Sequence, residues 1–216
     1  HVDRVESQIL LHPSGTHATL FQDAGFTLYR RLFLVRSLEG VWATPHIELP
    51  PSLELRPWRD EDLTSAARLI SIAYRGHTDS AINDQYRTLH GSQRFLQNIV
   101  RFAGCGVFSP AASHVIAERD SRELVGLVLG SRVSPQSGHI TQLCIHPDWH
   151  RHGFARTLLS VSAAHFVRLG ATEISLTVTE ANTNAIDLYL AEGYECRHTF
   201  DATVWQRESV PEIHGH

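Results

Sequence analysis

Methionine and lysine are both absent from this 216-residue chain, and cysteine occurs only three times. Without methionine, His1 is no initiator, and the chain is read as processed, trimmed or a fragment. Cys105, Cys144 and Cys196 form no CxxC pair, and an odd, sparse count fits a reducing, cytoplasmic setting better than a disulfide framework. No apolar run approaches the roughly 20 residues that span a bilayer, and no secretory pattern opens the chain, so a membrane is not expected as a partner. Arginine supplies all 19 basic residues, and against 23 acidic ones they leave a net charge of −4 with no basic run. That balance argues against nucleic acid. What is present, a 42% hydrophobic fraction, suits one or two globular domains. The 15 histidines are a caution for acidic buffers rather than a sign of a sensor.

Residues 1–50 read as a separate piece ending at Pro50-Pro51, residues 53–207 as the main domain, and 208–216 as a frayed tail. In the main domain Leu53–Trp58 alternates as a strand, and Asp60 to Tyr74 reads as a helix with an acidic first turn. Ala81 to Phe102 is expected to be helical with a break at Gly91, and Gly104-Cys105-Gly106 to turn. Ser113–Glu118 and Leu124–Val133 form a hairpin. A strand near His139–Ile145, a helix Gly153–Leu169, a strand Glu173–Thr179 and a helix Asn182–Glu192 follow, with Gly170 and Gly193 closing the helices. Two last strands are expected at Glu195–Thr199 and Ala202–Gln206.

Two stretches carry chemistry. Gly138–Pro147 followed by Asp148-Trp149-His150-Arg151-His152-Gly153-Phe154-Ala155-Arg156 reads as strand, tight loop and helix start. A helix N-terminus offers free N–H groups and partial positive charge to a phosphate, and Gly153 and Ala155 allow close approach. His146, His150 and His152 lie near one another, but no carboxylate or thiol at zinc spacing completes a set, so no metal is expected. In the second stretch, Asn182–Tyr194, Asn182 caps a helix and Tyr189 lies two turns further on the same face.

Together these stretches resemble the GCN5-related N-acetyltransferase (GNAT) superfamily, over residues 53–207. The resemblance implies an α/β fold, a mixed twisted sheet flanked by helices, and transfer of an acetyl group from acetyl-CoA to a primary amine in a ternary complex. It assigns Arg151, His152, Gly153, Phe154, Ala155 and Arg156 to the CoA pyrophosphate, though His150 stands where the family has Gln or Arg. Backbone of Leu143, Cys144 and Ile145, past a bulge, would pair with the pantetheine arm and polarise the thioester carbonyl. Asn182 would contact the same arm, and Tyr189 would protonate the leaving thiolate. Cys144 reads as a small apolar residue rather than a nucleophile.

For the base, Gln142 and Thr177 occupy positions where relatives carry Glu, leaving His139 as the candidate, with Glu180, His77 or solvent as alternatives. Tyr74, His77, Asp79 and Asn83 lie where the fold borders its acceptor pocket. GC-rich coding is the favoured account of the missing lysine, although an amine-modifying enzyme would also gain by lacking it. A module that binds CoA or protein without turnover, and a transferase of a longer acyl chain, are the alternative readings. A homodimer is left open.

One repeat remains: Leu20-Phe21-Gln22-Asp23-Ala24-Gly25-Phe26 mirrors Leu188-Tyr189-Leu190-Ala191-Glu192-Gly193-Tyr194, and each precedes an apolar-alternating segment. Residues 1–50 are therefore expected to hold part of a second GNAT-like unit, with Phe21 in place of the tyrosine, and chance similarity is the competing account.

Overall fold

In the computed structural model residues 2–40, 48–102, 104 and 106–207 are described. The first of them form β1 (Arg4–Gln8), α1 (Ala18–Asp23) and β2 (Thr27–Ser37). Then come β3 (Leu53–Pro57), α2 (Leu63–Ala73), α3 (Asp79–Ile82), α4 (Leu89–Arg101), β4 (Val107–Phe108), β5 (His114–Glu118) and β6 (Leu124–Arg132). β7 (Ser137–Ile145), α5 (Phe154–Arg168), β8 (Glu173–Thr179), α6 (Thr183–Ala191) and β9 (Glu195–Gln206) complete the order. The strands make a single sheet, β1-β9-β2-β8-β7-β6-β5-β3, with β4 added beside β6. Only β7 and β8 run parallel, so the sheet is mixed, with helices on both faces, as the resemblance implies.

α5 covers one face, where Val128, Ile140, Leu158, Leu159 and Phe166 meet, and α2 and α4 cover the other around Leu69, Ile70, Leu96, Leu127 and Leu129. Phe166 lies against the sheet where a Cβ on Gly130 or Gly138 would sit 2.8 or 2.7 Å from its ring, so both positions must lack a side chain. The α2 end is tied by Arg56, which donates to both Asp62 oxygens at 2.8 and 2.6 Å. Burial in this pair is offset by charge-assisted bonding.

Two local features open the sheet. The register of β6 and β7 shifts between Leu129 and Gly130, leaving Thr141 as the extra residue of a bulge. β7 pairs with β8 only over Ser137–Ile140, so beyond Ile140 the two strands part.

β2 lies between β8 and β9, so the boundary expected near Pro50-Pro51 divides residues of one sheet. The pairing is also symmetric. Leu20 and Leu188 are 168 positions apart (188 − 20), and the same shift relates two sets of partners. Ser7 faces Thr203 and Gln8 faces Ala202, while their counterparts Ser175 and Leu176 face Val35 and Leu34.

Some expected boundaries differ. The helix expected over residues 81–102 is split by Asn83 and Thr88, whose side chains accept from Gln85 N and Gly91 N and cap new turns. Gly91 is no break: it lies within α4 because a Cβ there would be 2.5 Å from Gln85 O. The two final strands are one, paired with β2 over Glu195–Val204 through a register shift at Arg197 and with β1 over Ala202–Gln206. The α2 helix begins at Leu63 behind a 3-10 turn. The expected tail 208–216 and Cys105 lie outside the described residues.

Candidate functional site

The parting of β7 from β8 leaves the backbone of Leu143, Cys144 and Ile145 without a strand partner on that side, among the described residues. His150 closes the end of this strand, its Nε2 3.2 Å from Ile145 O, which makes it a structural link rather than a free donor. The chain then turns through Arg151 and Gly153, both left-handed with φ of 69° and 80°. Glycine adopts this readily; arginine does so at a cost. Trp149, His152 and Phe154 pack their rings together with centroids 5.6–5.7 Å apart. The first helical bond of α5 runs from Thr157 N to Gly153 O. Helix geometry leaves the preceding N–H groups, through Phe154, Ala155 and Arg156, pointing off the helix end. Arg156 binds Glu192 at 2.6 Å, so its guanidinium ties the start of α5 to the end of α6.

α6 begins where Asn182 Oδ1 accepts from Ala185 N at 3.3 Å. Tyr189 is buried against Tyr194, with ring centroids 5.8 Å apart. Burial holds its phenol well above the ordinary value; the carboxylate of Asp79 raises it further and the guanidinium of Arg31 lowers it. The hydroxyl has no hydrogen-bond partner among the described residues, so it is free to serve a ligand. Burial likewise pushes the Cys144 thiol up to about 12, which keeps it protonated and unsuited to nucleophilic attack.

Opposite lies the segment Tyr74–Arg87. Tyr74 and Tyr86 stack at 4.2 Å, and Gln142 joins them, donating to the Tyr74 hydroxyl at 2.9 Å and accepting from that of Tyr86 at 3.3 Å. The Thr179 hydroxyl, at the end of β8, donates to Asp79. The segment is also held from the β1 edge of the sheet: Arg4 donates to Ala81 O at 2.5 Å and Glu6 accepts from Asp84 N at 2.9 Å. Asn83 turns inward to its own backbone as a cap.

The candidate bases fare differently. His139 Nδ1 sits 2.9 Å from Ser175 Oγ, which itself donates to Gly138 O, so the tautomer satisfying both bonds carries its hydrogen on Nδ1 and a lone pair on Nε2. Burial, helped by the charge of Arg31, lowers its pKa to about 4. His77 Nδ1 accepts from Asp79 N, and Glu180 is exposed beside Arg30. Arg31, Tyr86 and Thr179 were not singled out from sequence. Strand parity does not single Arg31 out, since the neighbouring Arg30 shares parity with the fully buried Leu34 and is nonetheless exposed.

No group of three His, Cys, Asp or Glu side chains among the described residues has a metal-holding arrangement. No helix among them is long and apolar enough to cross a membrane.

Residues 78–194 match the model of the acetyltransferase (GNAT) family. A mycothiol acetyltransferase of Geodermatophilus obscurus is 30% identical over 202 residues, which cover 88% of this chain and 59% of that protein. This chain thus spans about three-fifths of that relative's length. Among solved structures, a GCN5-related N-acetyltransferase from Sphaerobacter thermophilus superposes with a TM-score of 0.68 at 20% identity, covering 96% of this chain and 61% of that one. A PaiA N-acetyltransferase from Thermoplasma acidophilum, solved with coenzyme A, gives 0.54 at 18% identity over 72% of this chain and 99% of its own.

Proposed function

Because this chain belongs to the GNAT acetyltransferase family, whose members use an acyl-CoA, we propose that it transfers an acetyl group from acetyl-CoA to a primary amine by direct attack in a ternary complex. The observation that carries this reading is the gap beyond Ile140, where β7 leads into the left-handed start of α5 and β8, the strand it parts from, leads into α6 with its buried Tyr189. In it the pyrophosphate lies on the N–H groups from Arg151 to Arg156, with His152 beside it, and the pantetheine arm runs between β7 and Asn182. Backbone N–H within Leu143–Ile145 polarises the thioester carbonyl as it gains charge.

The amine enters from the side of Tyr74, His77, Asp79 and Asn83, next to the Asp79 carboxylate. A base of pKa about 4 is a poor acceptor from a free ammonium. The ammonium therefore gives its first proton to solvent before attack, and His139 acts late, taking the proton that becomes acidic once the nitrogen has bonded to the carbonyl carbon. Tyr189 gives its phenolic proton to the departing thiolate. Burial keeps that phenol protonated until the thiolate forms, which suits an acid. The symmetric pairing around β2 and β9 supports reading residues 1–50 as part of a second GNAT-like unit.

Saturating acetyl-CoA, at about 100 times its Kd, should raise stability by roughly 2.7 kcal/mol, and the melting temperature by about 5–11 °C. Tyr189→Phe should keep that rise while lowering kcat roughly 10²- to 10⁴-fold. An unchanged melting temperature in a cooperatively folded wild type would overturn the reading.

A further inference from the structure

Resting on the N-acetyltransferase reading, we propose that the acceptor is an amino acid-like molecule whose carboxylate is bound by Arg31 of β2 while Asp79 holds its amine.

Arg31 lies across from Thr179 on one side and Phe200 on the other, on the face of the sheet that carries Phe33 and the segment around Asp79. One of its terminal nitrogens donates to Thr177 Oγ1 at 3.2 Å. Its Nε is buried and has no partner among the described residues. Arg4, Arg36 and Arg56, half-buried like Arg31, each face a carboxylate: Glu6 at 2.5 Å, Glu192 at 3.9 Å and Asp62 at 2.6 Å. Arg31 has no such partner among the described residues. A guanidinium brings five N–H donors in a planar fork. Buried without an anion it is costly, and it matches a carboxylate better than any neutral group.

The location makes this a ligand's place rather than a gap in packing. Arg31 stands directly across from Thr179, whose hydroxyl donates to Asp79, so the two charged groups lie on one face of the sheet, and both charges reach the phenols of Tyr86 and Tyr189. They do not pair with each other within 4.0 Å among the described residues. A cation site and an anion site therefore stand apart around the same phenols. The stacked rings of Tyr74 and Tyr86 form a wall beside Asp79 suited to an ammonium. A molecule bearing both charges answers both sides, and a plain alkylamine leaves Arg31 unanswered.

The test is acetylation by the full chain of matched acceptors that differ only in the carboxylate: serine and serinamide, β-alanine and β-alaninamide, phenylalanine and phenylalaninamide. The free acids should be preferred at least tenfold in kcat/KM. Arg31→Ala and Arg31→Gln should each remove that preference mainly through KM, a loss of roughly ten- to hundredfold for the acids, and Arg31→Lys should restore part of it. Arg30→Ala, on the opposite face of the strand, should leave the preference intact. Variants count only when they melt cooperatively and keep the acetyl-CoA rise. Amides accepted as well as acids, or a preference that survives loss of Arg31, overturns the proposal. So does a panel that neither binds nor reacts while acetyl-CoA still raises the melting temperature. Absence of that rise in the wild type sinks the acetyltransferase reading itself, a separate result.

Discussion

His114 and His139 are two bases that folding moves out of water. Burial lowers each to a pKa of about 4, with the neighbouring His165 adding to the effect at His114 and Arg31 at His139. In the unfolded chain both titrate near the ordinary histidine value of about 6.5. Between those two pH values the unfolded state binds more protons than the folded one, so stability falls as pH drops through that window and levels off below it. At pH 7 and above neither ring contributes a slope. Thermal melts from pH 7.5 to 4.5 should show this decline, and His114→Asn should make it shallower. An equal slope in the variant would contradict the buried, neutral state of His114.

At the scale of single elements, α4 shows packing overruling propensity. Alanine is favoured over glycine in a helix interior by about 1 kcal/mol, which alone would make Gly91→Ala stabilising. A Cβ at that position would stand 2.5 Å from Gln85 O and 2.9 Å from Gln85 Cα, both backbone atoms. The turn that carries Tyr86 would have to move. Overpacking of this kind costs about 1–3 kcal/mol, so the variant should lose stability in urea denaturation and raise the acceptor KM. A gain in stability would show that the close approach is not needed.

For the whole molecule the position of β2 matters most. Leu34 is fully buried, and β2 pairs with β8 over Arg31–Ser37 and with β9 over Thr27–Val35. Removing residues 1–47 therefore takes a strand from within the sheet, exposes both neighbours and also deletes Arg4, Glu6 and Arg31. The remaining chain should not melt cooperatively by calorimetry. A truncated protein that melts within a few degrees of the intact one would mean that the main domain stands alone.

Much of the local structure at the candidate site could be read from neighbouring residues. Gly153 before α5, Asn182 before α6 and Tyr189 two turns along it depend on capping, backbone conformation and helical period, which neighbouring residues set among themselves. The bulge and gap in β7 came through family resemblance, since nothing in Leu143-Cys144-Ile145 announces them. Apolar alternation was visible over Thr27–Val35, and the repeated Leu20–Phe26 motif hinted at symmetry, but neither named the partners. Strand pairing joins distant segments, and a period of two says which side chains share a face without saying which strand lies alongside. Only the tertiary structure put β2 between β8 and β9, and so brought Arg31 opposite Thr179, the residue that holds Asp79.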